Sequence, residues 1–542
     1  MRNGARLHRL NGIDEIYVKM KYNETGKNMM QSFRSKVSGF GLGTAISRIL
    51  GLVREMTFSY LFGAGMMMDA YRIAFNIPNL LRDLFSEGSL SAAFLPIFSD
   101  YEKNKGKKDA FQFTGQVFNI LLLFIGAIVA VGMAFSPQIV HTIAYGFTKD
   151  PEKFALTVHL TRLIFPFVIF MVFSALAMGV LNYYNHFFTT GFAPALFNIG
   201  IISCGFAISP FLIHRGITPI LSIGIGVLVG AFLQLLIQIP YFIRSGFRFI
   251  KRINFREKGL KRFLKIMIPI EFSYAVTRIN VMVNMFLASL LVEGSVSYLG
   301  YAMRLMQLPI GVLGMAVSTV TLPDAAKLVS ESRHSEVIKI FSRSLRFVFF
   351  LTIPASIFLF VLRVPIIGLI FERGAFTAQD TGFTSQALAF YSLGIFAMSS
   401  SRVVTSIFYA YKDARTPLIL SISTVILNII LSLILMRFLF FRGLALSASI
   451  AAIFNLSLLL LFLRRKLKDV DGKRILYDFI KIVLAAGISG CAIFLLLGYF
   501  EHLLVFSRTL NFLIENLSLF AIGSIIYFIL SRILHIEIGK KA

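Results

Sequence analysis

Apolar residues run nearly unbroken through long stretches such as Ile120–Met133, Leu221–Ile239, Leu418–Met436 and Ile480–Leu497, and they are apolar on all sides of a helix. A helix with no polar face has no water-facing side, and several of these runs approach the roughly 20 residues that cross the hydrocarbon core of a bilayer. Polar gaps and Gly/Pro punctuation divide the chain into about fourteen such segments. The predicted spans are 37–62, 69–100, 111–145, 154–184, 188–212, 216–243, 261–292, 296–329, 337–370, 383–411, 414–437, 441–464, 475–500 and 506–534. The fold class is therefore an all-α polytopic membrane protein. Several spans exceed the needed length, which implies tilt, internal breaks or protruding ends.

The pattern also predicts an order of domains. A polar N-terminal extension (1–36) precedes a first six-helix lobe (37–243), a basic cytoplasmic linker (244–262), a second six-helix lobe (263–465) and two C-terminal helices (466–542). The stretch Asn254–Lys265, mixed in basic and apolar residues, suits a helix at the headgroup level. Residues 1–30 hold no apolar h-region, so no cleavable signal peptide is predicted, and Met29 or Met30 is an alternative start. A weak internal repeat supports the division into halves. Ser47-Arg48-Ile49 recurs as Thr277-Arg278-Ile279, and the pairs Leu95-Pro96 and Leu322-Pro323 follow at nearly the same offset of about 230 residues. Two lobes of like topology suit a transporter that rocks about a central cavity.

Composition agrees: 56% of residues are hydrophobic and 15% charged, against roughly 25% charged in soluble domains. The net charge of +27 first suggests nucleic acid, but its distribution removes that reading. Basic residues gather at Lys103–Lys108, Arg244–Arg262, Lys412–Arg415 and Arg464–Arg474, each an even number of spans from the N-terminus. That is the positive-inside signature, with both termini cytoplasmic. The two cysteines, Cys204 and Cys491, sit in apolar runs without metal spacing and are expected to be buried small hydrophobes.

Charge inside the spans is the informative chemistry, because a central Arg costs about 2.5–3.5 kcal/mol even on the insertion scale. The first span carries Arg48, Arg54 and Glu55; the second carries Asp69, Arg72, Arg82, Asp83 and Glu87; the second half adds Glu271, Arg278 and Arg304. Arg48 and Arg54 stand about 240° apart on a straight helix, and Gly51 between them allows a bend that turns both inward. Asp69 and Arg72 have the i,i+3 spacing of an ion pair, while Asp83 and Glu87 repel at i,i+4 unless Arg82 or Arg54 lies between them. Pro78 predicts a kink beside these charges. Guanidinium keeps its charge and presents planar paired donors, which match the oxygens of a diphosphate. The plainer reading is that these arginines snorkel or close internal ion pairs. Gly39, Gly41 and Gly43 read as a close helix-packing surface rather than a phosphate loop. No GxxxxGK[ST], HExxH or GxSxG occurs, so no cofactor or metal is predicted. Energy must then come from the membrane potential, a Na+ or H+ gradient, or a downstream sink.

The chain resembles the MurJ (MviN) family of lipid II flippases, within the multidrug/oligosaccharidyl-lipid/polysaccharide (MOP) exporter superfamily. The resemblance rests on Ser47–Glu55, on Phe62-Gly63-Ala64-Gly65 with Asp69-Ala70, on Pro78–Arg82 with Phe85–Gly88, and on Ala93–Pro96. It continues through Phe192-Ala193-Pro194 with Asn198, Gly294–Ser297, Arg304-Leu305-Met306, Pro309 with Gly311–Gly314, and Gly374–Thr377. It implies fourteen helices, alternating access in the inner membrane, and flipping of lipid II, the undecaprenyl-diphosphate-linked disaccharide peptide, for cell wall synthesis. It also implies that Arg48, Arg54, Arg82 and Arg304 engage the diphosphate, that Glu55, Asp69, Asp83 and Glu87 support or gate, and that the last two spans form a groove for the lipid tail. Asp83 replaces a basic residue of some relatives, and Met303 stands where an acid often precedes the arginine. Where some relatives place sodium-coupling acids, this chain has Asn280, Asn284, Asn428 and Ser432. The same fold also suits an exporter of another polysaccharide-linked lipid or a multidrug/cation antiporter, although the intramembrane excess of Arg disfavours a cation. A membrane enzyme would need a carboxylate pair, for which Asp83/Glu87 is the candidate. A scaffold for other peptidoglycan-synthesis proteins leaves the buried charges unexplained.

Overall fold

The computed structural model describes residues 41–86, 89–249, 254, 257–503 and 507–536. Among them all regular secondary structure is helical. The helices are α1 (41–62), α2 (Met66–Ser86), α3 (Ser89–Lys105), α4 (Lys107–Ala134), α5 (Ser136–Ile143), α6 (Pro151–Ile164) and α7 (Phe167–Tyr183). Next come α8 (Phe187–His214), α9 (Leu221–Leu236), α10 (Ile239–Arg244), α11 (Lys258–Ser289), α12 (Ser295–Pro309), α13 (Met315–Ser330) and α14 (His334–Val361). The chain continues through α15 (Arg363–Phe371), α16 (Ala378–Ser392), α17 (Ile395–Ala410), α18 (Arg415–Leu439), α19 (Phe441–Leu467), α20 (Gly472–Leu503) and α21 (Arg508–Ile533).

Eleven helical segments among the described residues are long and apolar enough to cross a membrane. They correspond to eleven expected spans; 188–212 is Phe187–His214 and 414–437 is Arg415–Leu439, whereas 111–145 and 337–370 run past Lys107–Ala134 and His334–Val361 into the separate short helices α5 and α15. The over-long spans are broken, as their length implied. Pro166 caps the start of α7, and Pro240 and Pro137 open α10 and α5, where a missing N–H is harmless. After Pro309 the helix widens into a π turn, Ile310–Gly314, before resuming as α13.

The other three expected spans fall outside that set for physical reasons. Span 37–62 begins outside the described residues, and side chains of 261–292 are only partly described. Span 69–100 is two helices, and α2 alone carries Asp69, Arg72, Arg82 and Asp83 in 21 residues. Pro78 lies inside α2 rather than ending it. The expected headgroup-level helix is in part the first turns of the continuous α11, which begins at Lys258. The polar extension 1–36 and the residues 250–253 and 255–256 lie outside the described residues.

The chain divides into two compact units. One holds the described residues up to Arg54 with Pro78–Ala134 and Arg162–Ser273; the other holds Glu55–Ile77, Phe135–Thr161 and the described residues from Tyr274 onward. In the first unit α8 and α9 approach so closely that a Cβ on Gly200 would lie 2.5 Å from Gly230 Cα, the small-residue packing of membrane helices. Gln234 and Gln238 donate to Ser174 Oγ at 3.1 and 2.6 Å, a buried polar tie between α9 and α7. Gly43 serves the packing role expected of it, since a Cβ there would stand 2.7 Å from the Gly191 backbone, whereas Gly41 faces open space. Gly39 lies outside the described residues. At the end of the unit, Gly259 N–H donates to Tyr101 Oη at 3.1 Å and Arg262 pairs with Asp100 at 2.8 Å, which ties α11 to α3.

In the second unit the C-terminal helices are fastened to α14 by buried charge: Arg346 and Asp478 pair at 2.5 Å, and Ser342 donates to Asp471 at 2.6 Å. Cys204 is buried as expected, but Cys491 is exposed. On α20 the buried stripe is Ile482, Ala485, Ala486, Ser489 and Ile493, and Cys491 lies about 200° round the helix from Ser489. The α1–α2 turn is locked against the loop before α16. Ala375 N–H donates to Tyr60 O at 2.9 Å, and Gly63 has φ 62. A Cβ on Gly63 would stand 2.5 Å from Ala375 O, so backbone conformation and space both exclude it. Gly63→Ala is expected to destabilise the protein by about 1–3 kcal/mol, read as a lower thermal midpoint in detergent; an unchanged midpoint would contradict this packing.

Candidate functional site

Two charge clusters in the second unit are built around buried carboxylates. Glu55, 2% exposed, accepts from Arg72 Nη2 at 3.1 Å and from Arg304 Nη2 at 3.1 Å. Arg72 also lies over the Tyr301 ring, 4.2 Å from its centroid, so a second guanidinium face is satisfied by an aromatic quadrupole. Tyr301 Oη in turn donates to Gly63 O at 2.9 Å. Arg72 and Glu55 are nearly enclosed, with side chains 13% and 2% exposed, whereas that of Arg304 is 42% exposed. One carboxylate thus anchors a buried arginine and aims a second, open one.

Asp69 is 1% exposed and does not pair with Arg72, contrary to the i,i+3 expectation. The residues before α12 approach it instead. Gly294 N–H donates to Oδ2 at 2.8 Å, Ser297 N–H and Oγ donate to Oδ1 at 2.9 and 2.6 Å, and Lys153 Nζ pairs with Oδ2 at 2.8 Å. Asp69 therefore acts as an N-cap supplied from another helix, where open N–H groups favour an anion. Gly294, at φ 84, makes the turn that exposes these groups.

In the first unit Arg54 Nη1 donates to Asn198 Oδ1 at 3.1 Å, while Asn198 Nδ2 donates to Ser47 O at 3.1 Å. The asparagine cross-links α8 to α1 and holds the guanidinium. Helix α1 runs unbroken through Gly51, with Arg48 exposed and Arg54 buried. Arg82 pairs with its neighbour Asp83, Nε to Oδ1 at 3.1 Å, and Asn79 Nδ2 lies 3.5 Å from Asp83 Oδ2. Arg82 thus supplies the cation expected beside Asp83. Glu87 lies outside the described residues, and with it the Asp83/Glu87 pair.

The neutral residues singled out for ion coupling do come together. Asn284 Nδ2 lies 3.4 Å from both Asn280 Oδ1 and Asn428 Oδ1, Asn428 Nδ2 reaches Ser447 at 3.4 Å, and Ser432 and Ser447 are 2.6 Å apart. Among the described residues no group of three or more His, Cys, Asp or Glu could hold a metal ion. Lys153, Tyr301 and Ser447 are the partners that sequence reasoning missed. Each serves a residue outside its own helix, Lys153 84 positions from Asp69, Tyr301 238 from Gly63 and Ser447 15 from Ser432, and no local spacing marks such pairs.

The fold defines the class. The chain superposes with a TM-score of 0.63 on an inward-facing multidrug resistance MATE family transporter of the MOP superfamily, at 14% identity, over 79% of this chain and 96% of that one. At that identity the likeness is one of fold. A solved lipid II flippase MurJ, described in an inward closed conformation, matches at TM-score 0.75 and 32% identity, over 92% of this chain and 98% of its own. A probable lipid II flippase MurJ of Buchnera aphidicola subsp. Schizaphis graminum is 34% identical over 430 residues, 79% of this chain and 83% of that protein. The family model for lipid II flippase MurJ matches residues 58–514. The chain belongs to the lipid II flippase MurJ family.

Proposed function

We propose that this chain flips lipid II from the cytoplasmic to the outer leaflet of the bacterial inner membrane by alternating access, for cell wall synthesis. The observation that carries the proposal is the pair of arginines on buried Glu55, of which Arg304 alone is open. A membrane helix carrying an exposed guanidinium needs an aqueous cavity or an anion beside it. A diphosphate supplies that anion, and Glu55 orients the donors before it arrives.

In this reading the chain has fourteen membrane helices in two six-helix lobes, 37–243 and 263–465, joined by the basic linker 244–262, with both termini cytoplasmic. Helices of 466–542 form the groove for the lipid tail. Arg48, Arg54, Arg82 and Arg304 each engage the diphosphate during the cycle, Asp83 holds Arg82 in place, and Glu87 is a further supporting or gating acid. Asp69 acts as a latch whose release accompanies the change of state. The membrane potential acts on the cationic helices. Asn284, Asn428 and Ser432 offer neutral oxygens that suit Na+ and nothing that carries a proton.

Complementation tests this assignment. Arg48→Ala and Arg304→Ala, at native expression, are expected to fail to support wall synthesis. Normal wall synthesis by both variants would overturn it.

A further inference from the structure

A second cationic site lies apart from the Glu55 cluster. An open pocket of about 310 Å³ between α13 and α17 is lined by Ser318, Thr319, Ser401, Arg402, Thr405 and Tyr409, among others. Arg402 is exposed and sits inside the apolar segment Ala378–Ala410. Five of the arginines described above have a protein partner: Arg72 and Arg304 share Glu55, Arg82 has Asp83, Arg346 has Asp478, and Arg54 has Asn198. Among the described residues no carboxylate pairs with Arg402.

A second observation points to a ligand. The hydroxyls of Ser399, Ser400 and Ser401 are buried and find no hydrogen-bond partner. A helical serine ordinarily bonds the carbonyl a turn earlier or a neighbour; of the three, Ser401 lines the pocket, and its unused buried hydroxyl is spare polar capacity there. Ser399 lies against the π turn, where a Cβ on Gly314 would stand 3.0 Å from its Cα, so the helices are pressed together beside the pocket.

We infer that this pocket binds a carboxylate of the peptide carried by the substrate head group, with Arg402 as the charged donor and the Ser401, Thr405 and Tyr409 hydroxyls around it; Ser318 and Thr319 line the pocket with their hydroxyls given to Met315 O at 3.1 and 2.8 Å. The inference rests on the flippase reading above and deepens it. Position supports the peptide as occupant. Ser318 lies fourteen residues beyond Arg304 on the same helical segment, about 21 Å at 1.5 Å per residue. A peptide of about six residues covers that distance when extended. A diphosphate at Arg304 therefore leaves the peptide end of the head group within reach of Arg402. The lining mixes one guanidinium with neutral hydroxyls, which suits a single carboxylate better than a doubly charged phosphate group.

The test uses the full chain in vesicles of neutral phospholipid and compares binding of lipid II, of lipid II with amidated peptide carboxylates, and of undecaprenyl diphosphate without sugar or peptide. Wild type is expected to bind lipid II about tenfold more tightly than the amidated form. Arg402→Gln should remove that difference while leaving binding of undecaprenyl diphosphate unchanged, and Arg402→Lys should restore part of it. An equal loss for all three ligands would assign Arg402 to the diphosphate and overturn the inference. Loss of the Arg402 effect when anionic phospholipid is added would assign the pocket to a lipid headgroup and overturn it too. Wild type that binds none of the three ligands would instead bring down the flippase reading itself. Equal thermal midpoints of wild type and both variants separate these outcomes from misfolding.

Discussion

Asp69→Ala is expected to cost about 3–5 kcal/mol and to abolish transport. The carboxylate is 1% exposed and takes four donors, from Lys153, Gly294 and Ser297. Removing one partner of a buried ion pair leaves the other charge uncompensated, which is the larger part of the loss. Lys153 is itself only 6% exposed and has no water to turn to. The lost cap of α12 adds about 1 kcal/mol. Asp69→Asn keeps an acceptor for some of the N–H groups and should fall between the two. Thermal unfolding in detergent orders the variants. A midpoint for Asp69→Asn equal to that of wild type would show that charge at this position matters little.

Glu55→Gln is expected to cost about 3 kcal/mol and to free Arg304. Arg72 loses its counter-charge inside a nearly closed environment and retains the Tyr301 ring, so the protein should still fold. Arg304, already 42% exposed, should become more accessible once its acceptor is neutral. The expected result is a lower thermal midpoint together with reduced flipping, because the donor that meets the diphosphate is no longer aimed. Reduced stability with undiminished flipping would make Glu55 a structural anchor only. The double change Glu55→Gln with Arg72→Gln removes the uncompensated cation and should recover part of the stability but none of the transport.

The helices were legible in the sequence because their signal is local. An apolar run such as Leu418–Met436 declares its own secondary structure and environment, and it is found within Arg415–Leu439. The candidate charges were legible for the same reason, since an arginine in an apolar run stands out whatever it touches. Their pairings were not. Asp69 and Arg72 have a spacing that suits a pair, yet each is claimed by a partner on another helix, and Arg304 meets Glu55 across 249 positions. The tie of α1 to α8 through Asn198, 151 positions from Ser47, carries no local sequence signal either. Cys491 was misplaced because an apolar run does not say which of its faces is packed against protein and which faces lipid. The breaks at Phe135, Pro166 and Pro309 were announced by span length and by proline, while the π turn that follows Pro309 was not.

The central claim is that lipid II crosses the membrane through this protein. Its most direct test is the outer-face accessibility of lipid II in cells depleted of the protein, measured with an externally added enzyme that cleaves only precursor already flipped. The account predicts that cleavage is lost while uncleaved precursor accumulates inside. Unchanged cleavage after depletion would contradict it.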